Sequence, residues 1–255
     1  MLRIFCLASL LLVSSYANAR VFNINKERFA GFFSVTGGGS HIGTNGISDA
    51  AGTGLEYSEE TKYNFTGEFG FAYSLPKLTV RFGFEVFKPN VLSSTVANGT
   101  SDLYAVDSSI QGFIPKLGID LNIHGNAQSR SFINVSGGLG DVKLNNDYSL
   151  TTDGQALYTG VSDHSVEAKG SGTLLSASLG YEGLLSDTNT IIVEFGYRQL
   201  NINNLKYSRG ATTFNPSGAG STTVTSGDKV VKSDGSSRDL NLSGPFLSIG
   251  FRFYM

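Results

Sequence analysis

The chain has 255 residues, enough for one or two domains, and a formal charge of -2 that gives no electrostatic case for nucleic acid. Gly (32) and Phe (18) are abundant while Lys plus Arg (19) and Asp plus Glu (21) are few, and no internal apolar run is long enough for a spanning helix. A single cysteine, Cys6, excludes an internal disulfide or a cysteine metal site.

In chain order, residues 1-19 come first. MLRIFCLASLLLVSSYANA combines Arg3, an apolar core from Ile4 to Val13, and the A-x-A cleavage site Ala17-Asn18-Ala19. This is the pattern of a secretory signal peptide, with the mature chain expected from Arg20. Cys6 falls inside it and not where a lipoprotein cysteine would sit, so the mature chain is expected to lack cysteine.

From there the apolar period is two rather than 3.6, the period of strands. The first strand expected is 30-AGFFSVTG-37. Next come 65-FTGEFGFAY-73 and 78-LTVRFGFEV-86, separated only by 74-SLPK-77 and so expected as a tight hairpin. The alternation recurs in 117-LGIDLNI-123, 133-INVSGGL-139, 175-LSASLGY-181 and 191-IIVEFGYR-198, and ends with 247-LSIGFRFYM-255, which makes eight strands. Short links are expected at Leu75-Pro76, His124 to Arg130 and Leu185 to Thr190. Long links rich in Gly, Ser, Thr, Asn and Asp are expected at about 38-64, 88-108, 141-172 and 204-240. An even strand count with alternating short and long links is the pattern of an outer-membrane barrel, with short periplasmic turns and four long extracellular loops on one domain, 20-255.

A soluble lipocalin-like barrel also alternates, so the composition of the two faces decides. One face is bulky: Phe, Leu, Ile, Val and Tyr, which suits lipid. The other is mostly Gly, Ala, Ser and Thr, which suits a crowded interior. That small-residue face also carries Glu68, Arg81, Glu85, Lys116, Asp120, Glu194, Arg198 and Arg252, four acidic and four basic. Balanced signs on several strands predict a paired luminal charge network that is structural rather than catalytic. Tyr73, Tyr181, Tyr197, Phe253 and Tyr254, near strand ends, are candidates for interfacial girdles.

On 65-FTGEFGFAY-73, 78-LTVRFGFEV-86, the charged small-residue face and the final 247-LSIGFRFYM-255, the sequence resembles the eight-stranded bacterial outer-membrane β-barrels, the superfamily that includes the transmembrane domain of outer membrane protein A. The resemblance covers essentially the whole mature chain. It implies an all-β, antiparallel, up-and-down transmembrane barrel, integral to the bacterial outer membrane. It implies outer-membrane lipids and lipopolysaccharide as surroundings, a monomer, and recognition by the barrel-assembly machinery through the last strand. The assembly signal then comprises Leu247, Ile249, Phe251, Phe253 and Met255, with Met255 in the usual aromatic place. No room is expected for a sizeable periplasmic domain.

The superfamily includes structural proteins, adhesins, serum-resistance factors, small channels and lipid-modifying enzymes, so fold alone does not fix function. His41, His124 and His164 give no H-x-x-H or H-E-x-x-H spacing for a metal. The stretch 161-VSDHSVEAKG-170 has the residue types of a Ser-His-acid site, but adjacency in a loop is weak support. In 37-GGGS-40 no Gly-Lys-Ser/Thr follows, against a phosphate cradle. Asp49, Glu56, Glu59, Glu60 and Asp102 read as solvated loop acids rather than a cation site. The expectation is a non-enzymatic protein with no cofactor: a structural barrel whose surface loops serve interaction or adhesion. The alternatives are a small or gated channel and a lipid-modifying enzyme.

Overall fold

The computed structural model describes residues 22-39, 56-57, 63-88, 91-215, 218-232 and 235-255. The expected signal peptide with Cys6, and most of the connection 38-64 with His41, Asp49, Glu59 and Glu60, lie outside the described residues. Among the described residues, thirteen strand segments and one short helix follow in chain order: β1 (Phe29–Gly39), β2 (Glu56–Tyr57), β3 (Tyr63–Ser74), β4 (Leu78–Phe87), β5 (Leu92–Ala97), β6 (Asp102–Gly125), β7 (Ser129–Leu150), α1 (Thr152–Leu157), β8 (Ser165–Ser186), β9 (Asn189–Tyr207), β10 (Ala211–Phe214), β11 (Ser221–Val224), β12 (Leu240–Asn241) and β13 (Gly244–Tyr254).

All pairings between these strands are antiparallel, and the longest strands form a ring-like sheet. Partners lead from β1 to β3, β4, β6, β7, β8, β9 and β13. From β13 they return to β1, where Phe33 lies opposite Phe251 and Val35 opposite Ile249. The hairpins at one end are tight. Leu75 N–H donates to the Leu78 carbonyl at 2.7 Å between β3 and β4. Between β6 and β7 the Asn126 side-chain oxygen accepts from the amides of Gln128 and Ser129, both at 2.8 Å, the Asx-turn geometry that Asn favours. The shorter segments prolong the ring at the other end. β5 pairs with β6 beyond the end of β4, β2 pairs with β5, and β12 pairs with β9 beyond the start of β13.

Polarity inverts partway along the long strands, and β6 shows it within one element. Its even-numbered side chains face inward and its odd-numbered ones outward, without a change of phase from Tyr104 to Asn122. Outward, Ala105, Asp107, Ser109 and Gln111 give way to the large apolar Phe113, Leu117, Ile119, Leu121 and Ile123, all five exposed. Inward, Tyr104, Val106, Ile110 and Ile114 give way to Lys116, Gly118 and Asp120. The same exchange occurs in β7 near Leu139 and Asp141, in β8 near Thr173 and Leu175, and in β9 near Tyr197 and Gln199. One half of the ring is therefore apolar outside and charged inside, and the other half is the reverse.

In the reversed half the inward side chains make an apolar core. Tyr104, Tyr148, Tyr158 and Phe214 contact one another with ring centroids 4.6 to 5.8 Å apart. Val142, Leu144, Leu200, Ile202, Leu205 and Val230 are among the buried residues of the same cluster. α1 is fixed against this end: the Thr151 hydroxyl accepts from Gly154 N–H at 3.1 Å as an N-cap and donates to the Asp102 carbonyl at 2.7 Å. At the opposite end, Phe22 and Ile24 pack on Ala30 and Tyr254.

All four of the long links expected from the sequence contain strand residues: β2 lies within 38-64, and the other three hold long extensions of regular strand. β6 begins at Asp102, β7 continues to Leu150, β8 begins at Ser165, and β9 reaches Tyr207. The reason is the inversion. Beyond the boundary the outward face becomes polar, so a search for outward apolar residues finds none, while the apolar alternation continues on the opposite face. The short link His124 to Arg130 is also shorter than expected, since Arg130 already belongs to β7.

Candidate functional site

The inward charges of the apolar-outside half form two linked groups. In the first, the Arg81 guanidinium clasps Glu194 with Nη1 to Oε1 at 2.6 Å and Nη2 to Oε2 at 3.0 Å, and also approaches Asp120 at 2.8 Å. Asp120 in turn accepts from Arg252 Nη2 at 2.6 Å and from Asn134 Nδ2 at 2.8 Å. Arg252 Nη1 donates to Glu182 at 2.7 Å, and Glu182 also accepts from Arg130 Nε, the Thr190 hydroxyl and the Tyr254 hydroxyl at 2.6 to 2.7 Å. In the second group, Lys116 Nζ reaches Glu68 at 2.6 Å and Glu85 at 3.1 Å, and Arg198 Nη1 donates to Glu85 at 3.0 Å.

These pairs join strands that are not neighbours. Arg81 on β4 meets Glu194 on β9, and Arg252 on β13 meets Asp120 on β6. The two groups contain Arg81, Lys116, Arg130, Arg198 and Arg252 against Glu68, Glu85, Asp120, Glu182 and Glu194, so five cations face five carboxylates. Charges taken out of water need this degree of pairing to be tolerated. Aromatic faces add to it: the Arg81 and Arg252 guanidinium carbons lie 5.7 and 5.9 Å from the Phe132 ring centre, and that of Arg198 lies 5.1 Å from Phe87.

All eight charged residues singled out in the sequence lie on this inward face and take part in ion pairs. Two members, Arg130 and Glu182, were missed. Each extends an alternation that was visible: Glu182 continues Ser176, Ser178 and Gly180, and Arg130 continues Asn134 and Phe132. The inward face is also less uniformly small than expected, because Phe32, Phe132 and Ile192 point inward. Gly180 makes room for one of them, since a Cβ there would lie 2.2 Å from the Phe132 ring. Tyr254 is corrected outright. Expected near a girdle, it is buried against Glu182 and Arg130, because its even-numbered place on β13 is an inward one. Tyr73, Tyr181, Tyr197 and Phe253 are exposed on the outward face, as are Leu247, Ile249 and Met255. Phe251 lies on that face half-buried.

Nothing in this network presents a free nucleophile or base to a substrate: each of its carboxylates is engaged by a cation. In 161-VSDHSVEAKG-170, Ser162 Oγ donates to its neighbour Asp163 at 3.4 Å, and the Asp163 carboxylate is bound to Thr212 N–H at 2.7 Å. Among the described residues no group of three or more His, Cys, Asp and Glu is placed to hold a metal ion.

Outside the ring, beyond the apolar band, lies a second set of polar groups. Lys143 contacts Glu167 at 2.5 Å, and that hydrogen bond holds the Glu167 carboxyl below the ordinary carboxylate range. On the inner side of the same half, burial pushes the Tyr207 hydroxyl up to about 12.

No protein-family model matches the chain, and no curated protein matches it. Among solved structures, Neisserial surface protein A aligns over 89% of this chain and 97% of its own, at 11% identity and a TM-score of 0.43. Ail, the attachment invasion locus protein of Yersinia pestis, aligns over 89% and 99%, at 10% identity and a TM-score of 0.43. A major outer membrane protein from Thermus thermophilus aligns over 88% and 99%, at 12% identity and a TM-score of 0.42.

Proposed function

We propose that the ring is a closed eight-stranded β-barrel spanning the bacterial outer membrane, and that the protein is non-enzymatic, a structural barrel carrying surface segments for interaction or adhesion. The observation that carries this reading is the polarity inversion. An exposed band of Phe, Leu, Ile, Val and Tyr surrounds the half whose interior is charged, and β6 keeps it from Phe113 to Ile123. A spanning strand needs about 9 to 11 residues, which this band matches. In water such a surface would be a severe aggregation liability. In lipid it is the solvated face, and closure of the ring gives the backbone groups of the band inter-strand partners. The pairing of β13 with β1 leaves no free edge within the band, which supports a monomer.

The other half then stands in water beyond the membrane, where a polar exterior and an apolar core are the stable arrangement. It lifts the connections following β7 and β9 away from the bilayer, and such presented segments commonly carry binding. By this reading the chain reaches its place among outer-membrane lipids and lipopolysaccharide through a cleaved signal peptide and the barrel-assembly machinery, with Leu247, Ile249, Phe251, Phe253 and Met255 on the lipid side of the last strand.

The interior weighs against a channel. Arg130 and Arg252 are fully buried in the charged half, and the Tyr104–Tyr148–Phe214 cluster fills the other. Barrels of this size have interiors that side chains fill. Refolding into lipid vesicles tests the proposal: heat-modifiable gel migration and protease-protected strands are expected, and a product that stays in the aqueous fraction without a heat shift would overturn it.

A further inference from the structure

On the outward surface of β7, β8 and β9, three tiers of side chains succeed one another away from the apolar band. The lowest is apolar and exposed: Leu139, Leu175 and Tyr197. Above it, Asp141, Ser171, Thr173, Asn201 and Asn203 line a shallow depression of about 370 Å³. Above that stand lysines in transverse register. Lys143 lies directly opposite Lys169, Lys169 opposite Lys206, and Lys206 bridges to Lys229.

Like charges directly opposite one another on a sheet are destabilising. The row holds one intervening carboxylate, Glu167, at 2.5 Å from Lys143 and 4.0 Å from Lys169. Among the described residues no carboxylate is within ion-pair distance of Lys206. Moreover, Lys206 reaches the row through a specific backbone device. A register shift between Lys169 and Ser171 inserts an extra residue on β9, where Asn204 has φ of 56°. Without that bulge the alternation of Asn201 and Asn203 would continue outward to Leu205 and turn Lys206 inward. The bulge instead buries Leu205 and Tyr207 and exposes Lys206 beside Lys169.

We infer that this surface binds a phosphorylated glycolipid of the surrounding leaflet. The acyl chains lie along Leu139 and Leu175, sugar hydroxyls meet Asp141, Ser171 and the two asparagine amides, and phosphate meets the lysine row. The order of the tiers matches the order of groups in such a lipid. The distance also fits: Lys143 lies four positions beyond Leu139, about 13 Å along a strand and about 10 Å in height at the usual barrel tilt, the scale of a headgroup layer. Continuity with the apolar band assigns the phosphate to a lipid rather than to a soluble polyanion.

This inference rests on the outer-membrane reading, and one experiment separates the two. The full chain is refolded into phosphatidylcholine vesicles containing a bisphosphorylated glucosamine-disaccharide lipid, the dephosphorylated form of that lipid, or neither. Lysine reactivity is read by reductive methylation and mass spectrometry, with Lys77, in the turn between β3 and β4, as internal control. Reactivity of Lys143, Lys169 and Lys206 is expected to fall about threefold or more with the phosphorylated lipid alone, since each basic residue near an anionic headgroup gains substantially. Lys77 should not change. A K143Q/K169Q/K206Q variant should insert normally and retain the phosphorylated lipid about tenfold less in native mass spectrometry. Equal reactivity in all three vesicles of a properly inserted chain overturns the site and leaves the membrane reading standing. Equal protection by soluble inositol hexakisphosphate overturns the lipid assignment. Failure to insert into any vesicle, shown by the absence of a heat shift, overturns the membrane reading and the site with it.

Discussion

Replacing Arg252 with Met removes the cation that joins Asp120 to Glu182 at the centre of the buried network. Arg252 is 0% exposed, with 2.6 Å and 2.7 Å hydrogen bonds to the two carboxylates. Removing one partner of a buried pair generally costs about 3 to 5 kcal/mol, because the other charge is left in low dielectric. Here neither carboxylate is wholly stranded. Asp120 keeps Arg81 and Asn134, and Glu182 keeps Arg130, Thr190 and Tyr254. The expected loss is therefore at the lower end, about 3 kcal/mol, which is a change of about a hundredfold in the folding equilibrium. The chain has no tryptophan, so urea unfolding in vesicles is best followed by far-ultraviolet circular dichroism together with the gel-migration shift. Adding Asp120→Asn to Arg252→Met should recover part of the loss by removing an uncompensated charge. A single variant within about 0.5 kcal/mol of the parent would refute the structural role of the network.

Further outcomes follow from the same geometry. Gly180→Ala should destabilise the ring-like sheet by about 1 to 3 kcal/mol through its clash with Phe132, and Phe132→Leu in the same chain should relieve it; equal unfolding midpoints for Gly180→Ala and parent would contradict this. Phe214→Ala opens the aromatic cluster of the half with the polar exterior and should cost about 3 to 5 kcal/mol locally. Limited proteolysis should then cut 208-240 faster while the heat shift persists. Planar-bilayer recordings of the parent chain should show no reproducible unitary conductance, and a steady conductance would favour the channel alternative instead.

The alternating segments within β3, β4 and β13 were legible because one side of each is mostly bulky and apolar and the other mostly small or polar, whereas β1 is weaker, with Gly31 and Gly37 outward and Phe32 inward. The charges were legible for the same reason: Arg81 and Arg252 stand between bulky apolar neighbours, where only an inward direction makes physical sense. Pairing was not legible, since alternation leaves Arg252 several carboxylates to choose from, and only strand register and shear bring it to Asp120 and Glu182. The half with the polar exterior escaped because the polarity of its two faces is reversed. Val142, Leu144, Val166 and Ala168 alternate as regularly as Leu117 and Ile119, but with the apolar side turned inward. A reading that assumes one environment along a whole strand mistakes such segments for loops. The Asn204 bulge was hidden for a different cause: one residue in a left-handed conformation shifts a strand's phase, and asparagine there looks like any polar loop residue.

Nitroxide scanning along the outward face of β6 measures the inversion itself. With Cys6 removed, single cysteines at Asp107, Ser109, Gln111, Phe113, Leu117, Ile119, Leu121 and Ile123 are labelled in the refolded, vesicle-inserted chain, and collision with oxygen is compared with collision with a water-soluble nickel chelate. Positions 107 to 111 should favour the nickel chelate and 117 to 121 oxygen, with the crossover close to Phe113 and a return toward water at Ile123. Uniform access of the nickel chelate from Asp107 to Ile123 would contradict a lipid-facing band and the membrane-spanning barrel built on it.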